Sequence, residues 1–173
     1  MAIIETLLQE LEQEAQTTRR VLERVPDTAL GWKPHEKSMS LGQLALHIAT
    51  VPGAVAEMAA GPGLDMPPAF VQPSAQTAAE LVPALEQSVV RARTALSGID
   101  DRRAMEPWTL KRGNQVLMTM PRAAVLRTIM LNHWYHHRGQ LSVYLRELNV
   151  PVPSIYGPSA DENPFAEPVA AAV

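Results

Sequence analysis

The chain has 173 residues, of which 46% are hydrophobic and 19% are charged, so it is long and apolar enough to fold around a core. Its net charge of -3 and its isoelectric point of about 5.9 give no electrostatic reason to expect nucleic acid or an anionic membrane as a partner. The sequence has no cysteine, which excludes disulfides, thiolate metal ligands and a protein thiol nucleophile.

The first residues do not have the pattern of an export signal. Residues 1–14 alternate apolar and acidic positions, whereas a secretory signal has a basic region, an apolar block and a cleavage site. No apolar run in the sequence approaches the roughly 20 residues of a membrane-spanning helix. We therefore expect a cytoplasmic protein without a membrane partner.

The first two helices are predicted from apolar residues that recur three and four positions apart. The first pattern runs from Ile4 to Val25, and Pro26 ends it. The second pattern begins after Ser40, because Ser40 and Gln43 have the spacing of a capping box, in which each side chain satisfies a backbone amide of the first turn.

Pro52 lies inside the second helical pattern. It has no amide hydrogen to donate to the carbonyl of Ile48, which predicts a kink just beyond His47. The proline-rich segment from Gly61 to Pro73 is predicted to be a loop without regular structure. Because this connection is long, it permits a crossover instead of simple up-and-down winding.

A third helix is predicted from Leu81 to Leu96. Thr77 and Glu80 repeat the capping-box spacing ahead of it, and Gly98 ends it. Pro83 lies close to the predicted start and is an awkward residue there, so it can shift the position at which the helix truly begins.

The region between Asp100 and Thr119 shows no helical period. Two short apolar runs, residues 108–110 and 116–118, flank the polar residues 111–114. This pattern predicts either a short hairpin or a packed loop.

The fourth helix is predicted to begin near Pro121 and to end at Asn149, where Pro151 follows. Its predicted inward face carries Leu126, Met130, His133, His137, Leu141, Leu145 and Leu148. Four amphipathic helices without a convincing set of strands predict an all-α protein. We expect a four-helix bundle, whose facing helices can place ligands in a shared interior.

Three of the histidines lie close together inside the predicted fourth helix, within the five residues 133–137. His133 and His137 are one turn apart, about 40° on a helical wheel, so their ring nitrogens can reach one ion. His47 lies on the inner face of a different helix and offers a third ligand. His136 is the rival of His137, and we favour His137 because it continues the apolar stripe to Leu141.

A histidine on an apolar face requires a polar partner, because burying an unpaired polar group costs roughly 2 to 7 kcal/mol. That partner is either a metal ion or an ordinary protein group or water, and spacing alone does not decide between them. Three imidazoles leave a coordination position open, as in catalytic sites, and suit zinc, nickel, iron or copper. Arg138 pairs with an anionic substrate or is a solvated charge. The amides that could orient the ligand rings are Asn132, Gln140 and Gln43.

Two parts of the sequence together resemble the DinB-like superfamily, the damage-inducible and YfiT-related helical bundles. The combination of an early helical histidine with a His-His-Arg-Gly-Gln run carries the resemblance. The matching segments are Trp32–Pro34, Ser40–Ile48, Asn132–Leu141 and Tyr156–Glu162. The resemblance covers residues 1–164, which we interpret as a single domain, and we expect residues 165–173 to be a disordered tail.

This resemblance implies a four-helix bundle with a crossover connection, a homodimer, and a divalent metal held by three histidines. Matched by motif, those ligands are His47, His133 and His137. Characterised relatives include enzymes that use low-molecular-weight thiols, such as mycothiol-dependent isomerases and bacillithiol transferases. The implied cofactors are a divalent transition metal, with zinc or nickel ahead of iron or copper, and a low-molecular-weight thiol.

Two hypotheses of function follow. In the first, the open three-histidine site activates a water or a thiol for transfer to a small electrophilic substrate. In the second, the bundle is a non-enzymatic stress-response protein that binds metal or sequesters a ligand. Both hypotheses require histidines from distant parts of the chain to meet around one point.

Overall fold

The computed structural model describes residues 2–69 and 71–166, and long helices dominate it. The first three are α1 (Ile3–Leu22), α2 (Leu41–Ala60) and α3 (Leu81–Leu96), and the short helix α4 (Asp101–Ala104) follows them. Next come α5 (Arg122–Val125), a π-helical segment (Leu126–Asn132) and α6 (His133–Glu147), in direct succession. We call these three segments together the fourth bundle helix. Short 3-10 turns occupy Asp27–Ala29 and Ala78–Glu80.

Polar residues ahead of α2 and α3 form the two predicted capping boxes. The hydroxyl of Ser40 accepts a hydrogen bond from the amide of Gln43, whose side-chain oxygen accepts one from the amide of Ser40. Thr77 and Glu80 make the same arrangement at the 3-10 turn that leads directly into α3. Pro83 lies in the first turn of α3, where its missing amide hydrogen has no helical acceptor to satisfy.

α2 and α3 are parallel neighbours. The amide of Gly53 donates to Ser88, and one turn further along both helices Arg91 pairs with Glu57. Because the two helices run in the same direction, the connection between them, residues 61–80, must return the chain along the bundle. This connection is the crossover, and it confirms the predicted fold class, an all-α four-helix bundle with a crossover connection.

α1 completes the bundle. It is antiparallel to α3, since Glu12 pairs with Arg93, and two turns further along α1 but two turns earlier along α3, Arg19 pairs with Glu86. On its other side α1 packs against the fourth bundle helix, which in turn packs against α2. The helices therefore follow the order α1, α3, α2 and fourth bundle helix around the core.

The contact between α2 and α3 is closest at Gly53. A Cβ atom at this position would lie 2.7 Å from the carbonyl oxygen of Ser88, so only glycine permits the observed approach. The hydroxyl of Ser88 accepts from the amide of Gly53 at 2.8 Å and donates to the carbonyl of Thr50 at 3.1 Å. α3 thus satisfies backbone groups of α2 around Pro52, and the helix continues through this residue.

A small sheet lies at the C-terminal end of α2. Its strands are β1 (Leu64–Asp65), β2 (Pro107–Arg112) and β3 (Gln115–Pro121), with β1 parallel and β3 antiparallel to β2. The hairpin is therefore the correct alternative for β2 and β3, whereas residues 101–104, where no helical period was expected, form α4. The prediction that Gly61 to Pro73 has no regular structure is wrong at β1, because its pairing partner is far away in the sequence. The buried Trp108 anchors the sheet by donating to the carbonyl of Met58 at 3.0 Å.

The segment after α6 packs back onto the bundle, where Asp161 accepts hydrogen bonds from Arg146 and from the amide of Val152. The first two residues of the predicted disordered tail form a turn with Asn163. The rest of that tail, residues 167–173, lies outside the described residues.

The core joins apolar side chains from all the bundle helices, and its largest fully buried members include Leu11, Leu22, Leu44, Ile48, Leu81, Leu96, Leu126 and Met130. Among the residues that the structure describes, no helix combines the length and the hydrophobicity needed to cross a membrane.

Candidate metal centre

Three histidines from α2 and α6 meet between these helices. The ring nitrogens that His47, His133 and His137 can offer to a cation all lie within 4.8 Å of one another. The Nε2 atoms of His47 and His133 are 3.1 Å apart. The ring of His137 has its centroid 4.7 Å from that of His47 and 4.3 Å from that of His133. The structure therefore brings together the three residues that the sequence singled out.

The π-helical segment sets how deeply the two histidines of α6 are buried. After this segment the fully buried residues of the fourth bundle helix are Trp134, Arg138, Leu141 and Leu145. The wider π turn rotates the inward face, so that His133 and His137 lie at its margin and are half-buried. The predicted inward face included both histidines, and in the structure they lie at the edge of that face. The marginal position keeps the rings accessible from solvent.

Pro52 shapes the other half of the site. In a regular helix the carbonyl of Ile48 would accept the amide of residue 52, which proline lacks. The carbonyl instead accepts a hydrogen bond of 2.8 Å from the indole of Trp134, which is fully buried. α2 continues as one helix from Leu41 to Ala60, so the kink expected just beyond His47 stays a prediction. The carbonyl that Pro52 leaves without a helical donor is that of Ile48, as expected, but Trp134 was not predicted as its replacement donor.

Gln140 orients the ring of His137. The Nδ1 atom of His137 donates to the side-chain oxygen of Gln140 at 2.7 Å, which leaves Nε2 as the ring nitrogen with a free lone pair. Gln43, for which a similar role was predicted, instead belongs to the capping box of α2. His136 is exposed on the outside of α6 and is not a member of the three-histidine group. Asn132 is exposed as well.

All three imidazoles have lowered pKa values. The pKa of His47 is lowered to about 4, first because the ring is buried and then because His137 and His133 lie close to it. Burial is also the main cause that lowers the pKa of His133 and that of His137. The rings are therefore neutral at pH 7, and a neutral imidazole has a lone pair that can bind a cation.

The donor set fits a divalent transition metal. Two imidazole nitrogens bound to one tetrahedral ion at bond lengths of about 2.0–2.1 Å lie about 3.3 Å apart. The Nε2 atoms of His47 and His133, at 3.1 Å, have a similar separation. Two neutral ring nitrogens at this distance repel each other through their lone pairs unless a proton or a cation lies between them.

Arg138 does not belong to the candidate site. Its side chain is 1% exposed, faces α1, and pairs with the carboxylate of Glu14 at 2.5 Å while donating to the hydroxyl of Thr18 at 3.0 Å. Tyr156 also contacts this guanidinium. Both interpretations of Arg138, as a partner for an anionic substrate and as a solvated charge, are therefore wrong. Glu14 lies 124 residues upstream, so the local sequence contains no sign of this pair.

The fold and the site together define a helical bundle with a crossover and an interhelical three-histidine group. The family model described as the DinB family matches residues 1–167. The chain therefore belongs to the DinB family, which confirms the resemblance. It is 27% identical over 167 residues to a Bacillus subtilis (strain 168) protein named YrdA and described as uncharacterized, covering 92% of this chain and 91% of that protein.

Solved structures of DinB-like proteins have the same fold. A DinB-like protein from Bacillus cereus ATCC 10987 superposes with a TM-score of 0.67 at 26% identity, covering 88% of this chain and 97% of that chain. The DinB-like protein YjoA from Bacillus subtilis has a TM-score of 0.61 at 19% identity, covering 84% and 96% of the two chains. The second likeness supports the fold alone.

Proposed function

We propose that the protein is a metal-dependent enzyme in which His47, His133 and His137 hold a divalent transition metal, with zinc or nickel ahead of iron or copper. The observation that carries this proposal is the convergence of the three imidazoles, whose available nitrogens lie within 4.8 Å of one another. Membership in the DinB family agrees with it. Three protein ligands leave at least one coordination position for a small molecule.

A bound ion would supply a Lewis acid that lowers the pKa of a water or of a low-molecular-weight thiol. The chain's own residues carry and orient the donor set: Gln140 fixes the ring of His137, and α2 and α6 carry the other two rings. Since the chain has no cysteine, any thiol must come from solution. We propose that the activated water or thiol attacks a small electrophile, which is the second substrate. We also propose that the protein acts in the cytoplasm, where small thiols stay reduced.

The test is a screen of tag-free protein, loaded with zinc or nickel, against several thiols and small electrophiles. His47→Ala removes one of the three donors, and His136→Ala is the control, because His136 lies on α6 beside two members of the group but does not belong to it. Turnover that His47→Ala abolishes and His136→Ala retains supports the proposal. Complete inactivity of the metal-loaded protein contradicts it and favours the second hypothesis, a non-enzymatic stress-response protein that binds metal or sequesters a ligand.

We also propose that the α1–α3 face forms a homodimer. A groove of about 610 Å³ separates the start of α1 from the end of α3, and Leu8 and Leu96 are among the apolar residues that line it. Further along the same face, Val89 and Val90 line a second hollow, and Val90 is 62% exposed. A second copy of the chain would remove this apolar surface from water.

Light scattering coupled to gel filtration tests the dimer. Val90→Glu places a charge on the proposed interface and is expected to give monomers. Val143→Glu is the matched control, because Val143 is similarly exposed, at 58%, but lies on α6. A monomeric wild-type protein, or a dimer that Val90→Glu leaves intact, contradicts this assignment of the interface.

A further inference from the structure

One buried hydrogen bond joins the two helices that carry the histidines. The indole Nε1 of Trp134 donates to the carbonyl of Ile48 at 2.8 Å, and both side chains are fully buried. Ile48 directly follows His47, and Trp134 directly follows His133. The bond therefore connects α2 to α6 at a point one residue away from a proposed ligand on each helix.

We infer that Trp134 is a positioning residue for the three-histidine group, an inference that rests on the proposed metal site. The indole holds α2 and α6 at the separation and rotation that bring the ring of His47 to those of His133 and His137. Trp134 contacts neither substrate nor metal in this role. It acts through the backbone of α2.

Pro52 leaves the carbonyl of Ile48 without its helical donor. A residue with an amide hydrogen at position 52 would donate to that carbonyl from within α2, as in any regular helix, and the indole would then share the acceptor. The amide of the next residue, Gly53, donates to the hydroxyl of Ser88 on α3. The sequence thus places an acceptor in α2 beside His47 and a matching donor in α6 beside His133. A hydrogen bond is directional, so it constrains orientation as well as distance.

Trp134→Phe tests the inference, because phenylalanine keeps an aromatic ring in the core and removes the indole donor, together with part of the ring volume. The measurements are the zinc dissociation constant and the visible absorption of the protein loaded with cobalt(II), which reports the geometry of the ligands. We expect about 10- to 100-fold weaker zinc binding, the usual effect of losing a group that orients ligands, and a changed cobalt spectrum.

Trp108→Phe is the matched control. Trp108 is equally buried and donates its indole hydrogen to another carbonyl of α2, that of Met58, near the end of the helix that is distant from His47. The two variants lose the same kind of hydrogen bond from the same helix. A merely structural role for Trp134 predicts that both change zinc affinity equally, whereas positioning predicts that only Trp134→Phe weakens it.

A double variant separates positioning from the simple need to satisfy a carbonyl. In Pro52→Ala/Trp134→Phe, the alanine amide can bond to the carbonyl of Ile48 within α2 and restore its pairing. We expect the double variant to regain resistance to urea without regaining zinc affinity. Recovery of the affinity, or binding by Trp134→Phe within twofold of wild type with an unchanged cobalt spectrum, overturns the inference.

The proposed metal site and the positioning role can fail separately. Binding by the wild type tests the metal site, and the variants test the role of Trp134. If the wild type binds no metal, the proposed function fails. The positioning role is then tested in the metal-free protein by nuclear Overhauser contacts between the ring protons of His47 and those of His133. Loss of these contacts in Trp134→Phe supports it, and their retention overturns it.

Discussion

Replacing Glu14 by alanine tests the buried ion pair that joins α1 to α6. The change leaves the guanidinium of Arg138, 1% exposed, without the carboxylate that lies 2.5 Å away. The hydroxyl of Thr18 and the backbone carbonyl of residue 14 would still accept from Arg138. The aromatic faces of Tyr135 and Tyr156, with centroids 5.3 and 5.0 Å from the guanidinium carbon, would also remain.

Removing one partner of a buried ion pair costs about 3–5 kcal/mol, because the other charge stays buried without compensation. Since Arg138 keeps other acceptors and two aromatic faces, we expect a loss of about 3 kcal/mol in the free energy of unfolding. Glu12→Ala on the same helix is the control. The side chains of the Glu12–Arg93 pair are 41% and 59% exposed, so its loss should cost less than about 1 kcal/mol.

Urea unfolding followed by circular dichroism measures both variants. The double variant Glu14→Leu/Arg138→Met removes both charges and should regain most of the lost stability, because a buried ion pair is replaceable by apolar groups of similar size. A cost for Glu14→Ala no greater than that for Glu12→Ala would refute the reasoning. So would a double variant as unstable as Glu14→Ala.

Two further predictions concern packing and pH. Gly53→Ala should lower the free energy of unfolding by about 1–3 kcal/mol, because the added methyl meets the Ser88 carbonyl at 2.7 Å. A variant that is as stable as wild type in urea unfolding would contradict the close approach of α2 and α3. Hydrogen bonds from Arg127 lower the pKa of Glu10 below its ordinary value of 4.5. The ionised carboxylate therefore stabilises the fold above pH 4.5, and this contribution is lost as the pH falls through the lowered pKa. Glu10→Gln should therefore be less stable than wild type at pH 7, and the difference should shrink as the pH falls through the lowered pKa of Glu10. A difference that stays constant from pH 7 into the acid range would contradict this assignment.

The local features of the fold could be predicted from sequence because they depend on neighbours in the chain. The capping boxes at Ser40 and Thr77 involve residues three positions apart, and both exist in the structure. His133 and His137 are one helical turn apart, so their common face followed from helix geometry. That His47 would join them rested on family resemblance and on the apolar stripe of α2.

The features that sequence analysis missed depend on distant contacts or on irregular backbone. β1 forms only because β2 arrives beside it, and Arg138 is buried only because Glu14 on α1 faces it. The π-helical segment changes the rotation of α6 by a fraction of a turn, which a fixed period of 3.6 residues cannot anticipate. Trp134 could have been found from one signal, since Pro52 leaves a carbonyl of α2 that requires another donor.

The most direct measurement is the metal content of the 173-residue chain purified without a histidine tag, for wild type and for alanine variants of His47, His133, His137 and His136. The proposal predicts nearly one zinc or nickel ion per wild-type chain, loss of that ion when any member of the three-histidine group is replaced, and its retention in His136→Ala. A wild type that binds no divalent metal, or a His47→Ala variant that keeps it in full, would contradict the metal site.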